Sequence, residues 1–230
     1  MINTRSLVIL ISLAVFSMSS IYAQDLSDYR GFRLGMNLLA VAKQTDVNPS
    51  EAKAIYQRPA VIQELEWRPR STSAGSSSQA DPVKEILFSF YNDELYRIVV
   101  NYDQDRTEGL TDEDLIESIS AKYGTPTTPV AKIISSSASQ VYGDSEKVIA
   151  RWEDSQYSCN LFRSSYGAVP GLLVFSKRLE ALAQVAIIKA IRLNDQEAPQ
   201  REIDRQKKQD DEKLAAGQKA RPGNKTNFRP

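Results

Sequence analysis

The fold of this chain is decided by residues 86–102, which read ILFSFYNDELYRIVVNY. Apolar residues alternate with others on both sides of Asn92–Asp93, a pattern typical of two half-buried strands joined by a tight turn. The first strand is expected to place on one face Ile86, Phe88 and Phe90, and the second Tyr96, Ile98, Val100 and Tyr102. This stretch therefore predicts an antiparallel hairpin with one buried face.

Two helices and a strand are predicted before the hairpin. Residues 32–36 lead into a short helix at 37–43, and Asn48 or Ser50 caps a second helix that continues to Gln57, before Pro59. Residues 61–67 alternate as a strand. Residues 70–82 are rich in Ser and Gly, so they predict a flexible loop.

A helix, three strands and a further helix are predicted after the hairpin. Thr111 and Asp114 form a capping-box pattern for a helix that ends at Tyr123–Gly124. A polar stretch at 127–147 predicts a long loop, and the strands that follow contain in turn Trp152, Cys159 and Val174. Their close succession predicts a three-stranded meander, followed by a helix to about Leu193.

This order of elements predicts an α+β fold, with antiparallel sheet in two consecutive helix-plus-three-strand units. The first unit is 24–126 and the second is 127–195; the sequence leaves open whether they share one core. Pro199 is expected to break the helix before a charged polar tail at 196–230. Charge pairs four residues apart favour a solvated helix in that tail, and disorder is expected from Lys213 onward.

Residues 1–23 have the layout of a cleavable secretory signal peptide. Arg5 supplies the positive charge, an uncharged apolar run follows at 6–18, and Ala23 precedes the expected cut. The apolar run is too short for a comfortable membrane span. We therefore expect an exported protein, periplasmic or extracellular, that begins near Gln24 and has no membrane span in its mature part.

The composition excludes several kinds of chemistry. The chain has 29 basic and 29 acidic side chains and no histidine, so it carries neither a global field for nucleic acid nor the base of a Ser–His or Cys–His nucleophile. The single cysteine, Cys159, cannot form a disulfide within the chain. Alternation places it on the face of Tyr157 and Leu161, where it is interpreted as a small buried hydrophobe.

Two sequence patterns suggest metal binding or catalysis, but a structural role explains the residues of each pattern better. Asp103 and Asp105 begin an approximate calcium-loop pattern, but its glycine arrives one position late, and an acidic turn before a helix explains the same residues. Three short motifs, Ser50–Lys53, Ser158–Asn160 and Lys225–Asn227, follow the order of the penicillin-binding enzymes. Helix capping is the preferred role of Ser50. No catalytic residue, metal ligand or cofactor is therefore assigned.

Tyr91, Asn92 and Asp93 are the candidate interaction residues. They form the turn of the hairpin, where side chains are accessible to a partner. Tyrosine suits an interface because it brings a large area with few rotatable bonds. Tyr91 is expected to be exposed, whereas Tyr96 and Tyr102 are expected in the core.

Several segments resemble small exported bacterial modules with the order ααβββ. The segments are Phe32–Met36, Phe90–Ile98 and Tyr123–Pro126, and the likeness spans about residues 32–126. The folds concerned are those of the outer-membrane assembly lipoproteins and of the β-lactamase inhibitor protein. This chain differs from the lipoproteins because it has no cysteine at the cleavage site. The resemblance implies an envelope protein that binds other proteins.

The sequence therefore favours an exported, non-enzymatic protein that acts by protein–protein contact in a bacterial envelope or secretome. Its expected partner is another envelope or secreted protein. Two alternatives stay open: a small carboxylate-based hydrolase, with calcium at Asp103 and Asp105, and an inhibitor of a secreted enzyme.

Overall fold

The computed structural model describes residues 25–69, 81–127, 146–164, 169–227 and 229. The predicted signal peptide, most of the loop predicted at 70–82 and most of that predicted at 127–147 lie outside the described residues. The elements in chain order are β1 (Asp28–Tyr29), β2 (Phe32–Arg33), α1 (Leu38–Thr45), a 3₁₀ turn (Pro49–Glu51), β3 (Lys53–Tyr56), β4 (Ile62–Trp67), β5 (Val83–Tyr91), β6 (Glu94–Tyr102), α2 (Gln104–Thr107), α3 (Asp112–Tyr123), β7 (Glu146–Glu153), β8 (Tyr157–Ser164), β9 (Pro170–Ser176) and α4 (Lys177–Asn227).

The α+β class is confirmed, and the strands of both predicted units lie in one antiparallel sheet. Its order is β3-β4-β5-β6-β9-β8-β7, beside the small β1–β2 hairpin. The predicted meander forms from β7, β8 and β9. Strand β9 returns between β6 and β8, so that Val100 of the first unit lies opposite Leu172 of the second. The two units therefore share a continuous sheet.

The predicted hairpin is present as β5 and β6, with one correction. Asn92 and Asp93 have φ values of 47° and 71°, as a type I′ turn requires. Close to the turn, Ser89 lies opposite Arg97 but Phe90 lies opposite Leu95, so Tyr96 is an extra residue in a bulge. The prediction that Tyr96 shares a face with Ile98 and Val100 is wrong, because the bulge gives that place to Leu95 and turns Tyr96 to the opposite face.

The main core lies on the face of the sheet that carries α1, α3 and the β1–β2 hairpin. Its side chains come from both predicted units, among them Phe88, Ile98, Trp152 and Leu161, and each is at most 1% exposed. The ring of Phe32 lies between Trp67 and Phe88, with centroid distances of 5.7 Å and 4.7 Å. Each such buried side chain contributes roughly 1.5–3 kcal/mol of hydrophobic stabilisation, so the core depends on both halves of the chain.

Of the three helices predicted before β7, two form as expected and one does not. Asn37 caps α1, and Thr111 and Asp114 exchange the reciprocal bonds of a capping box at α3, which ends at Gly124. Asn48 also caps, but only Pro49–Glu51 is helical, and the predicted helix to Gln57 is replaced by β3. This segment contains β-branched and aromatic residues and pairs with the edge of β4, which outweighs its modest helical propensity.

Helix α4 corrects two predictions, the break at Pro199 and the disorder from Lys213 onward, because it continues as a helix from Lys177 to Asn227. A proline inside a helix removes one backbone hydrogen bond, here the one that the carbonyl of Asp195 would accept. The neighbouring carbonyl of Asn194 accepts a bond of 2.7 Å from the guanidinium of Arg201. Arg58, in the connection from β3 to β4, forms an ion pair with Glu197. The side chains of Arg201 and Arg58 thus form contacts with α4 close to the point where Pro199 interrupts its backbone hydrogen bonds. In the ranges described above, no helix has the length and apolarity needed to cross a membrane.

Candidate functional site

Polar atoms of the hairpin turn form hydrogen bonds that hold the fold. Asn92 accepts a hydrogen bond from the backbone of Val61 at 2.9 Å and donates one back at 2.8 Å. Asp93 accepts from the first amide of α1, that of Leu38, at 3.0 Å. Tyr91 is half-buried against the residues that seat α4, rather than exposed. These three residues lie together as expected, and a role in binding stays a prediction.

In the calcium-loop pattern, Asp103 and Asp114 take part in helix capping with their carboxylates, and Asp105 does so with its backbone amide. The carboxylate of Asp103 accepts from the amides of Asp105 and Arg106 at 3.0 Å and 3.3 Å. Asp114 accepts from the amide of Thr111 at 2.9 Å in the capping box. Among the residues that the structure describes, no three or more acidic or cysteine side chains are grouped for a metal ion. These oxygens therefore stabilise the turn from β6 into α2 and α3.

The three short motifs of the penicillin-binding order do not meet. Ser50 donates its hydroxyl proton to the capping side chain of Asn48, 2.8 Å away. Ser158 and Asn160 lie buried on β8, and four strands separate β8 from β3, the strand that follows Ser50. At about 4.8 Å between neighbouring strands, that separation is roughly 24 Å. Lys225–Asn227 lies at the far end of α4.

The prediction that Cys159 is a small buried hydrophobe is confirmed. It faces the main core from β8 and has no exposed surface. Burial raises the pKa of its thiol well above the ordinary range for cysteine. The thiol therefore stays protonated at neutral pH and lacks the nucleophilic form.

Helix α4 is seated on the opposite face of the sheet from the main core. Leu179, Ala183 and Ile187 pack there with Ile62 and the bulged Tyr96. Beside this contact, Arg97 donates to Glu180 from its Nε at 3.0 Å and also from a terminal nitrogen. Burial alone lowers the pKa of Arg97, but the facing carboxylate more than offsets this and raises it above its ordinary value. The ion pair fixes the first turns of α4.

The same helix exposes a second set of apolar side chains. Leu182, Val185, Ile188 and Ile191 are 42%, 66%, 42% and 39% exposed. Large aliphatic side chains therefore occur on several sides of the first turns of α4, although only one side meets the sheet. We define these four residues as the apolar collar of α4. The sequence carries a signal for the collar, because the large aliphatic residues of 179–191 are spread around the helix instead of forming one stripe.

A cavity of about 400 Å³ lies between α3, β1 and the end of β6. Its walls include the rings of Tyr29, Tyr102 and Tyr123. Tyr123 donates its hydroxyl proton to the carbonyl of Asp28 at 2.7 Å, which ties α3 to β1. Sequence reasoning missed this cavity, because Tyr29 and Tyr123 are far apart in the chain and no periodic pattern connects them.

Comparisons with known proteins give one match. A family model described as the TP0088 domain matches residues 27–169, more than half of the chain. The matched part runs from the approach to β1 to the residue before β9, so it contains α1, α3 and most of the sheet. No curated protein and no solved structure matches. The resemblance to outer-membrane assembly lipoproteins and to the β-lactamase inhibitor protein stays an expectation.

Proposed function

The chain belongs to the TP0088 domain family, and we propose that it is an exported, non-enzymatic protein that binds another protein through α4. The observation that carries this proposal is the helix itself. None of the side chains at 191–227 is buried, although these residues form about 55 Å of helix at 1.5 Å per residue. A helix of this length that leaves the body of the protein is suited to contact a partner along its sides.

The apolar collar supplies the expected centre of the interface. Exposed large aliphatic residues are unremarkable singly, but four within ten residues of one helix form a patch of the kind that marks interaction sites. Two further exposed residues, Ile203 and Leu214, lie on the same side of the helix as Val185 of the collar. Ile203 is 18 residues after Val185, and Leu214 is 11 residues after Ile203, and both spacings are close to whole numbers of helical turns. Apolar side chains therefore recur along one line from the collar toward the carboxyl end of α4. We define residues 182–227 of α4 as the arm.

Charge indicates the chemistry of the partner. Between Lys213 and Asn227 the arm has four basic side chains and no acidic one, namely Lys213, Lys219, Arg221 and Lys225. A complementary surface is acidic and offers an apolar groove to the collar. We infer a partner protein with these two features.

The non-enzymatic part of the proposal is supported by the roles of the residues that suggested chemistry. Asp103 and Asp114 cap helices, Ser50 bonds to a capping residue, and Cys159 is buried with its thiol protonated. Each of these side chains already has a structural function. The hydrolase alternative would require the carboxylate of Asp103 to leave its capping contacts with the amides of Asp105 and Arg106.

Site-specific photo-crosslinking in producing cells tests the interface. The photoreactive residue p-benzoylphenylalanine replaces Val185 or Ile203 in the arm, and Lys84 on β5 serves as the exposed control site. We expect one heavier adduct from the two arm positions and none from Lys84. An adduct at twice the mass of the chain would identify a second copy as the occupant and overturn the proposal of a different partner protein.

A matched pair of variants then tests the collar. Val185→Lys with Ile188→Lys is expected to weaken the complex more than tenfold, because burying each aliphatic side chain contributes roughly 1.5–3 kcal/mol. Leu39→Lys with Val61→Lys introduces the same two charges at exposed aliphatic residues outside α4 and should leave the complex intact. Equal loss from both variants, or no adduct at either arm position, would contradict the proposal.

Export is tested separately from binding. Amino-terminal sequencing of the protein recovered outside the cytoplasm is expected to begin at Gln24, and a chain lacking residues 2–23 should remain inside the cell. Retention of residues 1–23 in the exported protein would contradict cleavage after Ala23.

A further inference from the structure

We propose that the cavity between α3, β1 and the end of β6 is a binding site for a small molecule with an apolar body and one anionic group. This site is on the other face of the sheet from α4, so the inference does not depend on the proposed partner. Its volume of about 400 Å³ lies within the range of small-molecule sites.

The inner part of the cavity suits the apolar body of the ligand. Leu115 and Ile119 line it from α3, and Leu172 lines it from β9 at the floor. The rings of Tyr29, Tyr102 and Tyr123 complete these walls. Aromatic rings offer large, rigid contact area, so a planar or branched hydrocarbon body loses water without requiring the walls to move.

Hydrogen bonds to Asp28 and Asp81, which do not line the cavity, hold these walls in place. The bond from Tyr123 to Asp28 joins α3 to β1, and Lys122 reinforces it by donating to the carbonyl and carboxylate of Asp28, each at 3.0 Å. Arg30, beside Tyr29, is held by both oxygens of Asp81 at 2.9 Å and 2.7 Å. The cavity is therefore formed before a ligand arrives, which lowers the entropic cost of binding.

The phenol groups do not oppose an anion. Burial raises the pKa of Tyr29, Tyr102 and Tyr123 above the ordinary tyrosine value. All three stay neutral at physiological pH and place no negative charge in the cavity.

The rim provides the positive charge for the anionic group. Arg30, Arg106 and Lys122 line the cavity, against the single carboxylate of Asp114. Arg30 and Lys122 have carboxylate partners, whereas the guanidinium of Arg106 forms no hydrogen bond or ion pair with any described residue. Arg106 is thus the group free to bind a carboxylate, phosphate or sulfonate, and its planar fork suits these anions. A cationic ligand would face three positive side chains.

Two fluorescent probes of similar body test the proposal. 1-Anilinonaphthalene-8-sulfonate carries a sulfonate, whereas N-phenyl-1-naphthylamine has the same aromatic body without it. We expect both to bind the full mature chain, the anionic probe with a lower Kd by about threefold, as one partly exposed ion pair would give. Equal affinity for the two probes would overturn the assignment of an anionic group.

Variants locate the probe. Arg106→Gln should remove the preference for the sulfonate and leave the neutral probe unaffected, whereas Arg192→Gln, an exposed arginine on α4, should change neither. Ser118→Trp fills the cavity from α3 and should abolish binding of both probes, and Glu117→Trp adds the same ring to α3 outside the cavity lining as a control. Thermal unfolding of each variant checks that it folds.

The apolar collar of α4 is the competing place for such probes. Val185→Lys should therefore leave the fluorescence titration unchanged. Loss of probe binding in Val185→Lys but not in folded Ser118→Trp would place the probe on α4 and overturn the proposal. Competition titrations with a carboxylate, a phosphate and a sulfonate of equal hydrocarbon length then show which anionic group the site binds most tightly.

Discussion

The indole nitrogen of Trp152 donates a hydrogen bond to the carbonyl oxygen of Gly124, at a distance of 2.7 Å. Trp152 is on β7 and Gly124 ends α3, so the bond connects the last helix of the first predicted unit to the first strand of the second. Gly124 has a φ of 71°, a backbone conformation that side chains rarely adopt. The glycine that stops α3 thereby also provides the acceptor that anchors the next strand.

Trp152→Phe should destabilise the protein by about 2–3 kcal/mol. The substitution keeps an aromatic ring in the core but leaves the Gly124 carbonyl without its partner, which costs roughly 1–3 kcal/mol, and it removes part of a ring that is 1% exposed. Urea unfolding measures the change. Trp67→Phe is the control, because Trp67 is only partly buried, and a loss as large as that of Trp152→Phe would contradict the role of the bond.

The pair Arg97–Glu180 should show strong coupling in a double-mutant cycle. The two side chains are only 13% and 15% exposed, so removal of one leaves the other poorly solvated. We expect Arg97→Met or Glu180→Leu alone to cost roughly 3 kcal/mol, and the double variant to recover part of that loss because neither charge remains.

Amide hydrogen exchange shows which part of the protein the Arg97–Glu180 ion pair stabilises. If the pair seats α4, the single variants should increase exchange in the first turns of the helix while β7 and β8 stay protected. Additive losses in the cycle, or uniform exchange over the sheet, would show that the pair does not seat the helix.

Gly171→Ala should be destabilising although it adds a single methyl group. A β-carbon at Gly171 would lie 2.3 Å from Cζ of the Phe162 ring on the neighbouring strand β8. Such overpacking typically lowers the free energy of unfolding by about 1–3 kcal/mol. Thermal unfolding of the variant would measure this loss. Phe162→Leu in the same chain should restore part of the loss, and Gly217→Ala, in open space on α4, should not destabilise. A neutral Gly171→Ala would mean that the ring moves freely.

Local signals predicted the hairpin and the helix caps because the responsible residues are close together in the chain. Asn92–Asp93 and Thr111–Asp114 act within one turn, so turn and capping chemistry suffices to locate them. The place of Tyr96 could not be obtained in this way. Its bulge inserts one residue into a regular alternation, and nothing in the periodicity marks where the insertion falls.

Long-range pairing decided the remaining elements. Residues 53–56 became a strand because β4 offered them an edge, and β9 joined the two units by returning beside β6. The candidate surfaces have the same origin. The sequence spreads the large aliphatic residues of 179–191 around α4, but which of them are exposed depends on the side of the helix that meets the sheet. The cavity exists because α3 packs across β1.

Glu64→Gln should stabilise the protein at neutral pH and have little effect in acid. Burial between β3 and β5 raises the pKa of Glu64, although Arg97, Lys53 and the Ser89 hydroxyl oppose the shift. A carboxyl whose folded pKa exceeds its unfolded pKa binds more protons in the folded state, so its contribution to stability is complete at low pH and is lost as pH rises through the folded pKa. Below the ordinary glutamate pKa of about 4.3, wild type and variant should therefore unfold at similar urea concentrations, and above the folded pKa the variant should be more stable.

Glu66→Gln, on the exposed part of the same strand, should change stability by less than about 0.5 kcal/mol. A difference between wild type and Glu64→Gln that is constant across this pH range would show that packing, and not ionisation of Glu64, separates them.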